Sequence, residues 1–130
     1  MINIPLSDSA MEESHGRLEA ALYNMGVVYK EDLLDYDESI QTFQELIKRY
    51  PLSKNADNAQ FWIGEIYYRE KWYEKAILEY QKVIEKYPEG NKAKDALLKQ
   101  VYAFHNMGDN SSARLILKEM VIKHTQSKQD

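Results

Sequence analysis

The chain has 130 residues and a formal net charge of −4, with 44% apolar residues and no cysteine. This apolar fraction supports a folded core, whereas the acidic balance argues against a nucleic-acid partner, which usually requires a basic face. No stretch approaches the ~18 consecutive apolar residues of a membrane span, and residues 1–11 lack the pattern of a signal peptide. Without cysteine, disulfides, thiolate chemistry and cysteine-based zinc sites are excluded.

The apolar residues recur at helical spacing along the chain, and the alternation typical of strands is absent. This pattern predicts an all-α protein of six helices, which pair as three antiparallel hairpins. We place the helices at residues 9–31, 37–49, 54–70, 74–86, 92–106 and 110–124.

The turn signals of the chain repeat every 37 residues. When the sequence is shifted by this length, Tyr50-Pro51 falls on Tyr87-Pro88, and Phe43 falls on Tyr80 and then on Leu117. A fixed period of this size indicates similar helical units that bury their apolar faces on one another. We therefore expect a single domain, 1–130, in which an N-terminal segment, 1–18, precedes repeats at 19–53, 54–90 and 91–127, the last of them degenerate.

Particular residues are expected to end or to cap the helices. Pro51 and Pro88 disfavour helical geometry in the tyrosine before them, so a helix should end at each. A polar side chain or a glycine before a helix can accommodate its free backbone N–H groups. The expected caps are Ser9 with Glu12, Asp35 with Glu38, Ser53, Gly90 and Asp109.

Trp72 stands where the other two repeats have Asp35 and Asp109. Two interpretations of this tryptophan remain open. It lies over the turn and covers the open end of its hairpin, or it is an exposed contact point for a partner.

The middle repeat contains Gln60-x-x-Ile63-Gly64-x-x-Tyr67, then Ala76-x-x-x-Tyr80, then Pro88. This run resembles the tetratricopeptide repeat, whose pattern is W-x-x-L-G-x-x-Y, A-x-x-x-F and P. The first repeat matches at Leu22, Met25-Gly26, Tyr29, Ser39, Phe43 and Pro51, whereas the third has Gln100-Val101, Phe104 and Thr125 for Leu-Gly, Tyr and Pro. The resemblance implies a right-handed α-α superhelix (a solenoid) of three hairpins. The glycine and the alanine of the pattern are expected where two helices cross closely.

The segments that join the repeats carry a second signature. Residues 50–59 and 87–96 both read Y-P-x-[S/G]-x-x-A-x-x-A, and Phe61-Trp62-Ile63-Gly64-Glu65 follows the first copy. This signature resembles the C-terminal repeat domain of the YbgF/CpoB family, the periplasmic cell-division coordinators of the Tol-Pal system. The outer-membrane assembly lipoproteins of the BamD type share the long linker. The resemblance implies a periplasmic location and Tol-Pal or cell-wall-synthesis partners.

In this repeat class, five positions of each first helix line the concave groove. The resemblance assigns these positions to Ala20, Tyr23, Val27, Lys30 and Glu31, to Asn58, Phe61, Glu65, Tyr68 and Arg69, and to Asp95, Leu98, Tyr102, His105 and Asn106. The aromatic members form an expected contact stripe, because aromatic side chains frequently anchor interfaces. The alternative is that half of them pack between neighbouring first helices and contact no ligand. Glu65 and Arg69 are four residues apart, a spacing that favours an ion pair on one helix.

No residue pattern indicates catalysis. His15, His105 and His124 lie in three different predicted helices, and none has the spacing of a metal ligand. A Gly-rich phosphate loop and a nucleophile motif are absent, and neighbouring carboxylates indicate solvated helix faces. We therefore expect no enzyme activity, no cofactor and no metal.

The third repeat departs from the pattern in a way that favours self-association. Val101 replaces the small residue at the close helix crossing, where added volume typically costs about 1–3 kcal/mol. The last helix is more apolar than a terminal capping helix should be. Either the chain is part of a longer array, or the third hairpin opens and forms a homodimer through Val101, Ile116, Met120 and Ile122.

The sequence therefore predicts a non-enzymatic scaffold that binds a protein or peptide segment in a concave groove, without membrane insertion. Related modules clamp a peptide carboxylate with Lys and Asn at groove positions that here carry Tyr23, Val27, Phe61 and Glu65, so that mode is not expected in the groove. A self-associating structural module is the second hypothesis. An engineered or recombined array without a natural ligand is the third hypothesis, because the two halves of the chain resemble different families. Residues 22–30, which read L-Y-N-M-G-V-V-Y-K, resemble repeats in large envelope proteins of gliding and secretion systems, whereas the linkers resemble the YbgF/CpoB family.

Overall fold

The computed structural model describes residues 7–129 and confirms the all-α class of helical hairpins. Six helices follow one another: α1 (Asp8–Glu31), α2 (Tyr36–Arg49), α3 (Lys54–Arg69), α4 (Tyr73–Lys86), α5 (Ala93–Asn106) and α6 (Asn110–Gln129). Eleven of the twelve predicted helix ends agree with these bounds to within one residue. The exception is the end of α6, which continues beyond the predicted position because Thr125 stands where the other repeats have proline. The Thr125 hydroxyl donates to the carbonyl of Val121 at 2.9 Å inside the helix.

The chain divides into two compact units, and the boundary falls within α3, between Ala59 and Gln60. Unit 1 contains α1, α2 and the beginning of α3, and unit 2 contains the rest of α3 together with α4, α5 and α6. Each unit has a buried aromatic ring against a glycine.

In unit 1 this ring belongs to Phe43, which is fully buried together with Leu46. A Cβ atom on Gly26 would overlap the Phe43 ring, so a glycine at this position lets the ring approach the α1 backbone. Ser39 stands at the alanine position of the pattern, and its buried hydroxyl donates to the Gly26 carbonyl at 2.7 Å. The structure thus confirms the expected close crossing of α1 and α2.

In unit 2 the ring belongs to Tyr80, which is fully buried in the core. A Cβ atom on Gly64 would lie 2.6 Å from both Cδ1 and Cε1 of this ring. The ring lies in a cluster of buried residues from α3, α4 and α5: Phe61, Ala76, Tyr80, Val83 and Ala96. A glycine at position 64 therefore lets the Tyr80 ring approach the α3 backbone, as Gly26 does for the Phe43 ring on α1.

The Tyr80 hydroxyl is the polar group of this core. It donates to Oε1 of Glu65 at 2.5 Å. Burial of the ring is the main cause that raises the pKa of Tyr80 far above its usual range, and the hydrogen bond to Glu65 is the second cause. The phenol therefore stays protonated and remains a donor to the Glu65 carboxylate.

The third hairpin is closed, although its pattern has drifted. Val101 takes the glycine position and is buried with 6% of its surface exposed, and Leu117 takes the position of the ring with 42% exposed. The valine fits because the residue at the ring position is a leucine near the surface and not a buried ring. In this structure α5 packs against α6, so the single chain does not adopt the open hairpin, which was one of the two alternatives.

Gln100, which replaces the leucine of the pattern, is also accommodated. It is buried, and its Nε2 donates to the Ile77 carbonyl at 3.0 Å and to Oε1 of Gln81 at 2.9 Å. Because a buried amide with its donors satisfied carries little penalty, the polar replacement is compatible with the core.

Three of the expected helix caps are confirmed. Asp35 accepts the N–H of Glu38 at 3.2 Å, Ser53 accepts that of Ala56 at 3.1 Å, and Asp109 accepts that of Ser112 at 3.1 Å. The side-chain and backbone hydrogen bonds from Ser112 hold the pKa of Asp109 below its usual range. This cap therefore stabilises the fold fully above the ordinary carboxyl pKa, and its contribution is lost as the pH falls through the lowered value.

Two expected caps are wrong. Ser7, and not Ser9, precedes the first helix and accepts the N–H of Ala10 at 3.2 Å. Gly90 lies in a turn and donates to the Tyr87 carbonyl at 3.0 Å, whereas α5 begins after Lys92 without a side-chain cap. Ser7 is two residues before Ser9, and the spacing alone did not decide which serine begins the helix.

Trp72 precedes α4 and provides no side-chain cap to it. We expect Trp72→Asp to raise the free energy of unfolding by about 1 kcal/mol, because the carboxylate would accept a free N–H as it does in the other two repeats. Urea denaturation followed by circular dichroism measures this change. Trp72→Ala is the matched control, since alanine removes the ring without supplying a cap. Equal stability of the two variants would contradict the prediction.

Candidate protein-binding surface

The predicted groove residues of unit 2 meet where α3 lies beside α5. Nδ2 of Asn106 donates to the Tyr68 hydroxyl at 3.0 Å and to the Tyr102 carbonyl at 2.9 Å. The Lys99 ammonium lies 4.9 Å from the centre of the Tyr68 ring and 3.5 Å from Oε2 of Glu65. We call these five residues, Glu65, Tyr68, Lys99, Tyr102 and Asn106, the α3–α5 face.

The two tyrosines of the α3–α5 face differ in exposure. Tyr102 is 45% exposed, whereas Tyr68 is half-buried and meets the edge of the Tyr73 ring with centroids 5.5 Å apart. Lys99 and Tyr73 thus contact the ring of Tyr68, and Asn106 donates a hydrogen bond to its hydroxyl. The face combines one positioned aromatic ring with one that is open to solvent.

Glu65 joins this face to the core. It accepts the Tyr80 hydroxyl and pairs with Lys99, and the two charged side chains are 24% and 32% exposed. The predicted pair between Glu65 and Arg69 does not form within residues 7–127, where Arg69 is exposed. Because the Glu65 carboxylate pairs with Lys99 on α5, the four-residue spacing along α3 predicted the wrong pair.

Phe61, predicted to line the groove, is a core residue with 5% of its surface exposed. Its ring centroid lies 5.7 Å from that of Tyr80, and the Lys92 ammonium lies 5.1 Å from it. Leu98 is half-buried, while His105 is exposed and its Nδ1 lies 3.0 Å from Oδ1 of Asn110. The predicted aromatic stripe is therefore interrupted in unit 2.

The predicted groove positions of unit 1 differ in exposure, and Ala20 and Glu31 are exposed. Tyr23, Val27 and Asn58 have intermediate exposure, and the Tyr23 ring lies 6.0 Å from that of Phe43. Lys30, expected at the surface, is 9% exposed and its ammonium pairs with Glu31. Contact between these residues and a partner remains a prediction.

Sequence reasoning missed Lys99 and Lys92, which lie over the aromatic rings of α3 from α5 and the turn before it. Both ammonium groups lie between about 4.9 and 5.1 Å from ring centres, within the range of a cation–π interaction. Lys99 is three residues before the assigned groove position Tyr102, a spacing that places both on one face of α5, and this spacing was the available signal.

The residues predicted for self-association divide into two groups. Val101 is buried in the third hairpin, and Ile116 and Met120 are half-buried. Ile122 is 47% exposed, and Val121 beside it is 63% exposed. A surface for a second copy on α6 would therefore use the exposed apolar residues of that helix, and Val101 does not belong to it.

Among the described residues, no three histidine, aspartate or glutamate side chains come together as ligands of a metal would. The helices of this part of the chain are all too short or too polar to cross a membrane.

The comparison with protein families agrees with this architecture. One model of the tetratricopeptide repeat matches residues 20–53, and a second model of the same repeat matches residues 58–89. Together the two matches cover about half of the chain, and the chain belongs to the tetratricopeptide-repeat proteins. Proteins of this class are typically non-enzymatic scaffolds that mediate protein–protein interactions. No curated protein matches the chain significantly.

Proposed function

We propose that the chain is an interaction module that binds a segment of a partner protein on the α3–α5 face. The observation that carries this proposal is the exposed Tyr102 on α5, the helix whose Lys99 and Asn106 hold Tyr68 of α3. Tetratricopeptide repeats generally mediate protein–protein interactions, and this face contains groove positions of their second and third units. Aromatic rings bury a large area with few rotatable bonds, which suits them to anchor a partner.

The contacts within the face support this role because they order the side chains of Tyr68 and Lys99 before a partner arrives. Asn106 bonds to Tyr68 and to the Tyr102 backbone, and Lys99 is placed between Glu65 and the Tyr68 ring. A side chain that is already ordered loses less entropy on binding than a free one. The partner segment would pack an apolar side chain on the two tyrosine rings.

The linker signature supports a narrower proposal, in which the module works in the periplasm with Tol-Pal or cell-division partners. The support is the pattern shared by residues 50–59 and 87–96, and no contact in the structure bears on it. Identification of the captured partners by mass spectrometry tests this part by itself. The absence of every Tol-Pal component from the captured set would reject the setting and leave the α3–α5 face to be judged separately.

Capture of partners from bacterial envelope extract tests the α3–α5 face. We expect Tyr102→Ala to lower the recovery of a specific partner by about tenfold, because a truncated anchor at an interface costs more than about 1 kcal/mol. Leu78→Ala is the matched control, since Leu78 is 64% exposed on α4 of the same unit and should leave the recovery unchanged. If Tyr68→Ala and Tyr102→Ala both leave every captured partner unchanged, the face is not the binding site.

The second candidate function is self-association through α6. Four large apolar side chains of this helix are 42–63% exposed: Leu115, Leu117, Val121 and Ile122. A second copy that covers these residues would remove their apolar area from water, which favours association. Size-exclusion chromatography with light scattering at tens of micromolar tests this candidate. A dimer that Val121→Glu dissociates would support it, and a wild-type chain that is monomeric throughout would reject it.

A further inference from the structure

The two turns between paired helices in unit 2 form a cleft of about 460 Å³. Residues at the start of α4 and at the end of α5 line it: Lys71, Trp72, Tyr73, Glu74, Lys75 and Met107. None of these residues belongs to the α3–α5 face. We call this second surface the turn cleft.

Trp72 is not required by the backbone of its turn. In all three repeats the residue before this position has a positive φ: 52° at Leu34, 63° at Lys71 and 84° at Gly108. The N–H of Trp72 donates to the Tyr67 carbonyl at 2.9 Å, as the N–H of Asp109 does to the Phe104 carbonyl at 2.9 Å. The turns of unit 2 therefore share one geometry and differ in the side chain at the cap position.

That side chain contributes a cation–π contact with Lys75 at an exposed site, which is no stronger than the cap that it replaces. Trp72 leaves α4 without a side-chain cap and is 57% exposed, so neither capping nor full burial offsets the replacement of aspartate. Departures from local rules without a structural gain are expected at functional sites. This favours the interpretation of Trp72 as a contact point for a partner.

The charges of the turn cleft indicate what it would bind. The Lys75 ammonium lies 4.4 Å from the centre of the Trp72 ring and 5.6 Å from that of Tyr67. Within the described part of the chain, no carboxylate lies within 4 Å of the ammonium of Lys75 or of Lys71. Glu74 is the one acidic residue among the six that line the cleft. The cleft is therefore net positive, because it has two lysines that no carboxylate of the described residues neutralises.

We propose that the turn cleft binds an acidic peptide segment that carries a large apolar side chain. The apolar side chain would pack between the Trp72 ring and Met107, which is 41% exposed. Carboxylates beside it would pair with Lys71 and Lys75, whose charges they complement. A basic segment would be repelled, because Lys75 already lies over the Trp72 ring. This site is separate from the α3–α5 face and does not depend on the function proposed for it.

Nuclear magnetic resonance with a designed probe tests the proposal. The probe is an acetylated peptide with one central phenylalanine and two aspartates on each side, and the control probe has lysine in place of each aspartate. The chain has two tryptophans, so the indole N–H signals of Trp62 and Trp72 report separately. We expect the acidic probe to shift the Trp72 signal saturably with a Kd near or below about 1 mM, and to leave the Trp62 signal in place.

Two variants complete the test. Lys71→Gln combined with Lys75→Gln should weaken binding by about fivefold or more, since the charge pairs are lost. Trp72→Ser removes the indole reporter, so binding to this variant is followed through the backbone amide signal of Met107 in the same cleft. This variant should abolish the binding while supplying a cap to α4, so that loss of folding does not explain the result. The proposal is overturned if the Trp72 signal does not move, if the lysine probe shifts it equally, or if the Trp62 signal moves instead. A Trp72 shift that depends on protein concentration without probe would assign the cleft to a second copy and also overturn it.

Discussion

Gly64→Ala is expected to lower the free energy of unfolding by about 2–3 kcal/mol. The new Cβ atom would lie 2.6 Å from two carbon atoms of the Tyr80 ring, which is fully buried and bonded through its hydroxyl to Glu65. The ring has no free direction in which to move, so the helices α3 and α4 must separate. Urea denaturation followed by circular dichroism measures the loss.

Gly16→Ala is the matched control for this prediction. Gly16 lies in α1, and a Cβ atom added there would have no neighbour within 4 Å, so alanine should raise stability by up to about 1 kcal/mol through helix propensity. The double variant Gly64→Ala with Tyr80→Leu imitates the third hairpin, which has Val101 and Leu117 at these positions. Its loss in the free energy of unfolding should be smaller than the sum of the losses of the two single variants. Equal effects of alanine at Gly64 and at Gly16 would contradict the close crossing.

Phe43→Ala is expected to lower the free energy of unfolding by about 3–5 kcal/mol. The Phe43 ring is fully buried against Gly26, and its removal leaves a cavity that the adjoining α1 backbone cannot fill. The same urea titration measures this loss.

Leu117→Ala is the matched control, because Leu117 holds the same position of the repeat with 42% of its surface exposed. Truncation of a partly exposed leucine should cost no more than about 1 kcal/mol. A loss at Leu117 comparable to that at Phe43 would show that α6 is covered in solution, as it would be by a second copy of the chain.

The helices themselves were predictable from the sequence. Their apolar spacing and the two prolines at 51 and 88 act within a few residues, so local rules place the ends. The end of α6 was missed because Thr125 does not stop a helix, although it occupies the proline position. The start of α1 was shifted because Ser7 and Ser9 are both good caps.

The candidate binding surface was less predictable, because it depends on neighbours that belong to other helices. Phe61 occupies a groove position of the repeat pattern, yet its ring lies in the core against the Tyr80 ring and the Lys92 ammonium. Lys99 has no motif of its own and becomes part of the α3–α5 face through Glu65 and Tyr68. Contacts between helices many residues apart are set by packing, which spacing along one helix does not describe.

The two surfaces of unit 2 suit a scaffold that engages more than one segment of a partner. The α3–α5 face offers the tyrosine rings of the first helices, and the turn cleft offers Trp72 and two lysines at the hairpin turns. If both bind, a linked pair of segments would bind more tightly than either alone, because the second contact becomes intramolecular.

By itself the sequence determined the six helices, the repeat and the need for small residues at the helix crossings, because periodicity, proline and side-chain volume act locally. The tertiary structure decided which ring each glycine accommodates, which aromatic residues stay exposed and which carboxylate each lysine meets. It also decided that Val101 is tolerated, since the residue at the ring position of the third hairpin is Leu117 at the surface. Exposure and pairing are properties of the packed helices, and so the surfaces available to a partner follow from packing.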